Sequence, residues 1–130
     1  MTVIAVTRLN VRSLRFVPGF LWFAVRSERQ ARTAEGCLGT DVRREKFLVF
    51  WTRTVWRDEA AMRAYMTSGA HKKAMPKLQY WCNEASLVHW NDPEGKLPDW
   101  NLAQERMQRD GRVSRVRHPS QAHAKGATVP

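Results

Sequence analysis

FLVFWTRTVW, residues 47–56, decides how the rest of the chain must be arranged. Ten residues, nearly all aromatic or β-branched and without Gly or Pro, predict a strand. Alternation puts Phe47, Val49, Trp51, Arg53 and Val55 on one face. Leu48, Phe50, Thr52, Thr54 and Trp56 fall on the other. Both faces are largely apolar, so both need cover. Thr52, Arg53 and Thr54 are the polar exceptions that need a reason.

Working outward, residues 2–11 (TVIAVTRLNV) are β-branched and roughly alternating and predict a first strand. Pro18 suits a first helical turn, where its missing N–H would have had no partner. Phe16, Phe20, Phe23, Ser27, Ala31 and Ala34 then recur at spacings of three and four, which predicts a helix over 17–34. Gly36 and Gly39 stop it, and 37–45 predict a second strand. After the central strand, Asp58 caps a helix from about 59 with Met62, Tyr65 and Met66 inward. Ser68-Gly69 interrupts it, a second helical piece covers 70–81, and 83–91 (NEASLVHWN) predict a last strand. This order, βαββαβ, is the ferredoxin-like α+β arrangement: a four-stranded antiparallel sheet with both helices on one face. The open face of that sheet is expected to meet a second copy in a two-fold dimer. Residues 1–95 thus form the domain. Residues 96–130 are expected as an extension, with a short helix over 99–110 and a basic tail that is poorly ordered alone or embraces a partner.

Composition narrows the function classes. The chain has 130 residues, 43% hydrophobic and 26% charged, which suits one soluble domain. Its net charge is +10, of which residues 111–130 supply +4 and the remainder is spread without a dense basic block. Such a charge favours nonspecific attraction to nucleic acid or anionic lipid, but no nucleic-acid reading motif accompanies it. Cys37 and Cys82 form no CxxC pair and read as free thiols in a reducing, cytoplasmic setting. The apolar run 16–25 (FVPGFLWFAV) is too short to span a bilayer and lacks a small-residue cleavage site, so it reads as a buried helix and no membrane is expected as a partner. Phosphate-cradling glycine loops, metal-ligand clusters and nucleophile motifs are all missing.

Residues 50–90 carry a more particular pattern: a strand ending in Thr54 and Trp56, then Met62, Tyr65, Gly69-Ala70-His71, Ala74-Met75, Trp81, Glu84 and His89-Trp90. It resembles the dimeric α+β barrel superfamily that includes the antibiotic biosynthesis monooxygenases. Within that superfamily it looks most like spheroidene monooxygenase-like proteins and small uncharacterised monooxygenase-like ones. The resemblance implies a homodimeric barrel, with an apolar pocket between sheet and helices in each subunit. It also implies oxidation of a hydrophobic or aromatic small molecule, in some members without a cofactor and in spheroidene monooxygenase with haem.

His71 is the leading site candidate. Ala74, Met75 and Leu78 follow it on one helical stripe, while Lys72, Lys73 and Lys77 take the other side, so His71 faces inward. A neutral imidazole there either bonds a backbone carbonyl as part of the core, or ligates haem iron, or accepts a proton from a phenolic substrate. Trp22, Trp51, Trp56 and Trp81 are either core or, with Tyr65 and Met75, the wall of a substrate pocket. Arg53, if buried, needs a carboxylate, a carbonyl or an anionic ligand group, and Glu84 is the candidate partner; otherwise its head lies in water at a sheet edge. His89 faces either the pocket or the dimer contact. Two other functions stay open: a noncatalytic ligand-binding or stress-related protein of the same fold, and a nucleic-acid-associated protein acting through its basic tail.

Overall fold

The computed structural model describes residues 1–130. Strand β1 (Thr2–Val11) and a 3-10 turn (Leu14–Phe16) lead into α1 (Val17–Thr33). The hairpin β2 (Cys37–Lys46) and β3 (Val49–Trp56) follows, then α2 (Glu59–Met66), α3 (Gly69–Trp81) and β4 (Cys82–Asp92). The chain closes with α4 (Trp100–Asp110), β5 (Arg112–Val113) and α5 (Gln121–Ala124). The sheet is antiparallel in the order β2-β3-β1-β4-β5. It has five strands and not four, because β5 returns to pair Val113 with Ser86 and Arg112 with Leu87.

Each face of the sheet has its own cover. On the helical side, Trp56 and Val3 pack against Ala31 of α1 and Ala61 and Met62 of α2. Phe20 of α1 meets Phe50 with ring centroids 4.8 Å apart. Asp58 starts α2 by accepting a bond from the Ala61 amide, and that bond together with Arg57 holds its carboxyl below the ordinary range.

The opposite face departs from expectation. Ile4, Val6, Val49, Trp51, Val55 and Val88 pack there against Ala103 and Met107 of α4. The chain's own α4 therefore covers the face that was expected to meet a second copy. The cause is the length of the segment from Asp92 to Asp99, enough to carry a helix across the sheet. Asp99 caps α4 by accepting from the Leu102 amide at 2.7 Å. Arg43 and Arg53 then clasp one indole: their guanidinium carbons stand 4.9 and 4.3 Å from the Trp100 ring.

The tail, expected to be poorly ordered, also lies on this body. The Ser114, Arg117 and Ser120 amides donate to backbone carbonyls of Ala85, Gln79 and Asn83. Val116 and His123 are buried. Polar satisfaction explains why so basic a segment docks: its backbone donors find acceptors along β4 and the end of α3.

Because Met107 is fully buried under the sheet, Met107→Ala should cost about 2–5 kcal/mol, read as a lowered midpoint in denaturant unfolding. A loss well under about 1 kcal/mol would mean that α4 does not sit on the sheet.

Candidate functional site

The site begins at the junction of α2 and α3. Gly69 turns the chain there with φ +60, a conformation glycine adopts without strain. A Cβ at Gly69 would fall 2.9 Å from the Gln30 side chain, so the turn also needs the missing side chain for space. Gln30 reaches across from α1 and clamps the junction. Its Nε2 donates to Ser68 O at 2.8 Å and to Tyr65 O at 3.3 Å, and its Oε1 accepts from the His71 amide at 2.9 Å.

That clamp stacks three rings. Trp56 and Tyr65 have centroids 5.1 Å apart, and Tyr65 and His71 4.8 Å. Trp56 Nε1 donates to Thr54 Oγ1 at 2.9 Å, which gives Thr54 its purpose on an apolar strand. The Tyr65 hydroxyl donates to Ser27 O at 3.1 Å. Burial, with Cys37 and Glu28 nearby, pushes the Tyr65 phenol far above its ordinary value, so it remains a hydrogen-bond donor.

His71 Nδ1 lies 3.1 Å from Met66 O. A carbonyl only accepts, so Nδ1 carries the hydrogen and Nε2 holds the lone pair of the neutral ring. Burial lowers the His71 pKa, and the bond to Met66 opposes this only in part. The arrangement suits a proton acceptor at neutral pH. A groove of about 290 Å³ runs beside this cluster, lined by Gln30, Ala34, Ala61, Ala64, Tyr65 and Ser68 among others. Haem, which the resemblance raised for His71, finds no space at this ring: Tyr65 packs against it with centroids 4.8 Å apart, and His71 does not line the groove.

The remaining candidates are not brought together here. Trp81 packs over Gly19 and against Phe23 in the core between α1 and α3. Trp22, Met75 and His89 are exposed. Trp51 lies on the opposite sheet face and donates to Glu45 Oε2 at 2.8 Å. An aromatic-walled cavity containing all of these residues is thus not formed, because neighbouring strand residues point to opposite sides of the sheet.

Arg53 and Glu84 both reach that opposite face but do not pair with each other. Arg53 bonds Asp41 Oδ2 at 2.6 Å and also the Pro98 carbonyl. The hairpin register, which sets Asp41 directly across from Arg53, dictates that choice. Glu84 instead pairs with Arg8 at 2.9 Å and accepts from Ser120 Oγ at 2.8 Å. Arg8 is only 5% exposed and was missed as a candidate. Its signal was present: Ile4, Val6 and Arg8 share one phase of β1, so the arginine sits where the pattern calls for an apolar residue. A depression of about 400 Å³ opens beside this pair, lined by Arg8, Asn10, Lys46, Phe47, Leu48 and Glu84 among others. Cys82 is sealed in the core, and burial alone pushes its thiol up to about 12, which makes it inert.

The elements together define a ferredoxin-like α+β protein built on an antiparallel five-stranded sheet. The family model described as Domain of unknown function (DUF3291) matches residues 6–113, and the chain belongs to that family. Among solved structures, SnoaB, a cofactor-independent oxygenase from Streptomyces nogalater, is 18% identical with a TM-score of 0.60; the match covers 75% of this chain and 98% of that one. An antibiotic biosynthesis monooxygenase is 13% identical, with a TM-score of 0.63 and coverage of 69% and 97%. Rv0793 from Mycobacterium tuberculosis is 10% identical, with a TM-score of 0.66 and coverage of 72% and 97%. Identities this low speak for the fold alone. No curated protein matches the sequence.

A neutral, partly buried His71 makes a pH prediction. Its folded pKa lies below the ordinary 6.5, so on acidification the unfolded chain takes up the proton first. Stability should therefore fall as pH drops below about 6.5. Melting temperatures of wild type and His71→Asn at pH 7.5 and pH 5 check this: the variant should lose less on acidification. An equal loss in both would remove His71 as the source.

Proposed function

We propose that this protein binds a hydrophobic or aromatic small molecule in the groove between α1 and α2 and oxidises it with molecular oxygen. The observation that carries the proposal is the His71 tautomer: Nδ1 is committed to Met66 O, leaving Nε2 as a base beside the Tyr65–Trp56 stack. In this reading Tyr65 and Ser68 contact the ligand, and His71 Nε2 accepts a proton from its acidic O–H or C–H. The resulting anion is electron-rich enough to reduce oxygen directly. SnoaB, which shares the fold, is described as a cofactor-independent oxygenase, and that description supports this choice over haem chemistry. His71 stands one side chain behind the groove wall, so the Ser68-Gly69 junction must shift for Nε2 to meet the ligand.

Oxygen uptake with a dihydroxynaphthalene as probe, followed at an oxygen electrode, tests the proposal. His71→Ala should slow uptake by about a hundredfold or more while probe binding, read by tryptophan fluorescence, changes little. Uptake no faster than in protein-free buffer overturns the oxidation. Binding without uptake would favour the noncatalytic ligand-binding reading, in which His71 serves only to bridge α2 and α3.

The homodimer implied by the superfamily belongs to the same proposal. With α4 over the sheet, β2 offers the free edge, with Leu38 and Val42 exposed along it and Phe47 in the turn at its end. Light scattering at twice the chain mass supports a dimer; a single chain mass removes it.

A further inference from the structure

The charge that is diffuse along the sequence is collected by the fold. Residues 14–33 carry Arg15, Arg26, Arg29 and Arg32 against Glu28, a net +3. Helix α3 carries Lys72, Lys73 and Lys77 and no acid, another +3. With the +4 of residues 111–130, these segments account for the whole net charge of +10, and the rest of the chain is neutral. α1 and α3 pack side by side: Gly19 and Phe23 lie against Trp81, and Lys77 Nζ stands 5.2 Å from the Phe23 ring. The outer helical layer is therefore strongly cationic. The one acid on α1 and α3, Glu28, is already paired to Arg32 at 2.7 Å.

The same layer exposes large apolar side chains. Leu14 is 57% exposed, Leu21 42%, Trp22 64% and Val25 48%. At a helical period, Pro18, Trp22, Val25, Arg29 and Arg32 share the outward stripe, with Leu21 and Arg26 flanking it. The apolar members occupy the N-terminal half of α1 and the arginines its C-terminal half. Arg26 also stands 5.9 Å over the Trp22 ring.

We infer that the outer face of α1, with the lysines of α3, docks on an anionic lipid surface. A second copy is a poor occupant, since two layers of like charge would repel. Nucleic acid satisfies the cations but leaves Leu14, Leu21 and Val25 in water. An anionic bilayer interface takes both: Trp22 sits at headgroup level, the aliphatic side chains enter the acyl boundary, and the arginines and lysines meet lipid phosphates. This is attachment in the plane of the interface; no helix is long and apolar enough to cross a membrane. Trp22, a poor pocket wall because it points away from the sheet, becomes the anchor.

Flotation of the full-length protein with vesicles tests the inference. Vesicles of phosphatidylcholine with about a third phosphatidylglycerol should retain the protein, phosphatidylcholine alone should not, and added salt should weaken retention. Trp22→Ser/Val25→Ser, both at exposed positions, should weaken binding several-fold; Arg26→Glu/Arg29→Glu should weaken it about tenfold or more. Far-UV circular dichroism of each variant confirms that it is folded. Absence of binding to the anionic vesicles overturns the inference, as does binding unaffected by Trp22→Ser/Val25→Ser. Tighter binding to single-stranded RNA than to vesicles, lost in Arg26→Glu/Arg29→Glu, would reassign the face to nucleic acid.

Discussion

Strand β3 is apolar on both sides, and every layer of this protein answers that fact. Trp51 and Trp56 lie on the same strand with opposite phase, and each is almost fully buried. One is sealed by α4 and the other by α1 and α2. An indole of this size removes a large apolar area from water, so leaving either face open would forfeit much of the burial that offsets chain entropy. The long connection after β4 and the return of α4 across the sheet follow from that requirement.

Polar groups appear on this framework only where they are tied down. Arg53 and Arg8 point to the α4 side, and each meets a carboxylate, Asp41 or Glu84. The Arg8–Glu84 pair is deeply buried, a setting in which desolvation offsets much of the Coulomb attraction. Its effect is better described as registration: Ser120 Oγ bonds the same carboxylate, and Ser86 Oγ bonds the Thr128 carbonyl. These contacts hold the tail along β4. Arg43 and Arg53 over Trp100 do the same for the start of α4.

On the helical side, the polar group that matters most is a neutral amide. Gln30 joins α1 to the turn between α2 and α3, and thereby sets the orientation of His71 and Tyr65. Nothing in the local pattern around Gln30 marks it, since it lies one position before Ala31 on an ordinary helical stripe. Its role exists only because α1 and α2 pack against the same sheet face. Glu84 shows the same limit in reverse. Its placement on a strand was legible, but choosing Arg8 over Arg53 required the register of three strands. Arg53 with Asp41 lay closer to reach, since a β2–β3 hairpin turning at Lys46 to Val49 sets these two opposite one another.

What the amino-acid order determined by itself is the succession of elements from β1 to β4, the two faces of β3, the cap at Asp58 and the break at Ser68-Gly69. These depend on periodicity and local backbone preference, which act over a few residues and are written in them. Only the tertiary structure decided that α4 covers the sheet, that the tail pairs as a fifth strand, that Trp22 faces outward, and that the positive charge gathers on the helical layer. Each of those depends on which distant surfaces meet, and short-range pattern carries no term for contacts across a hundred residues of chain.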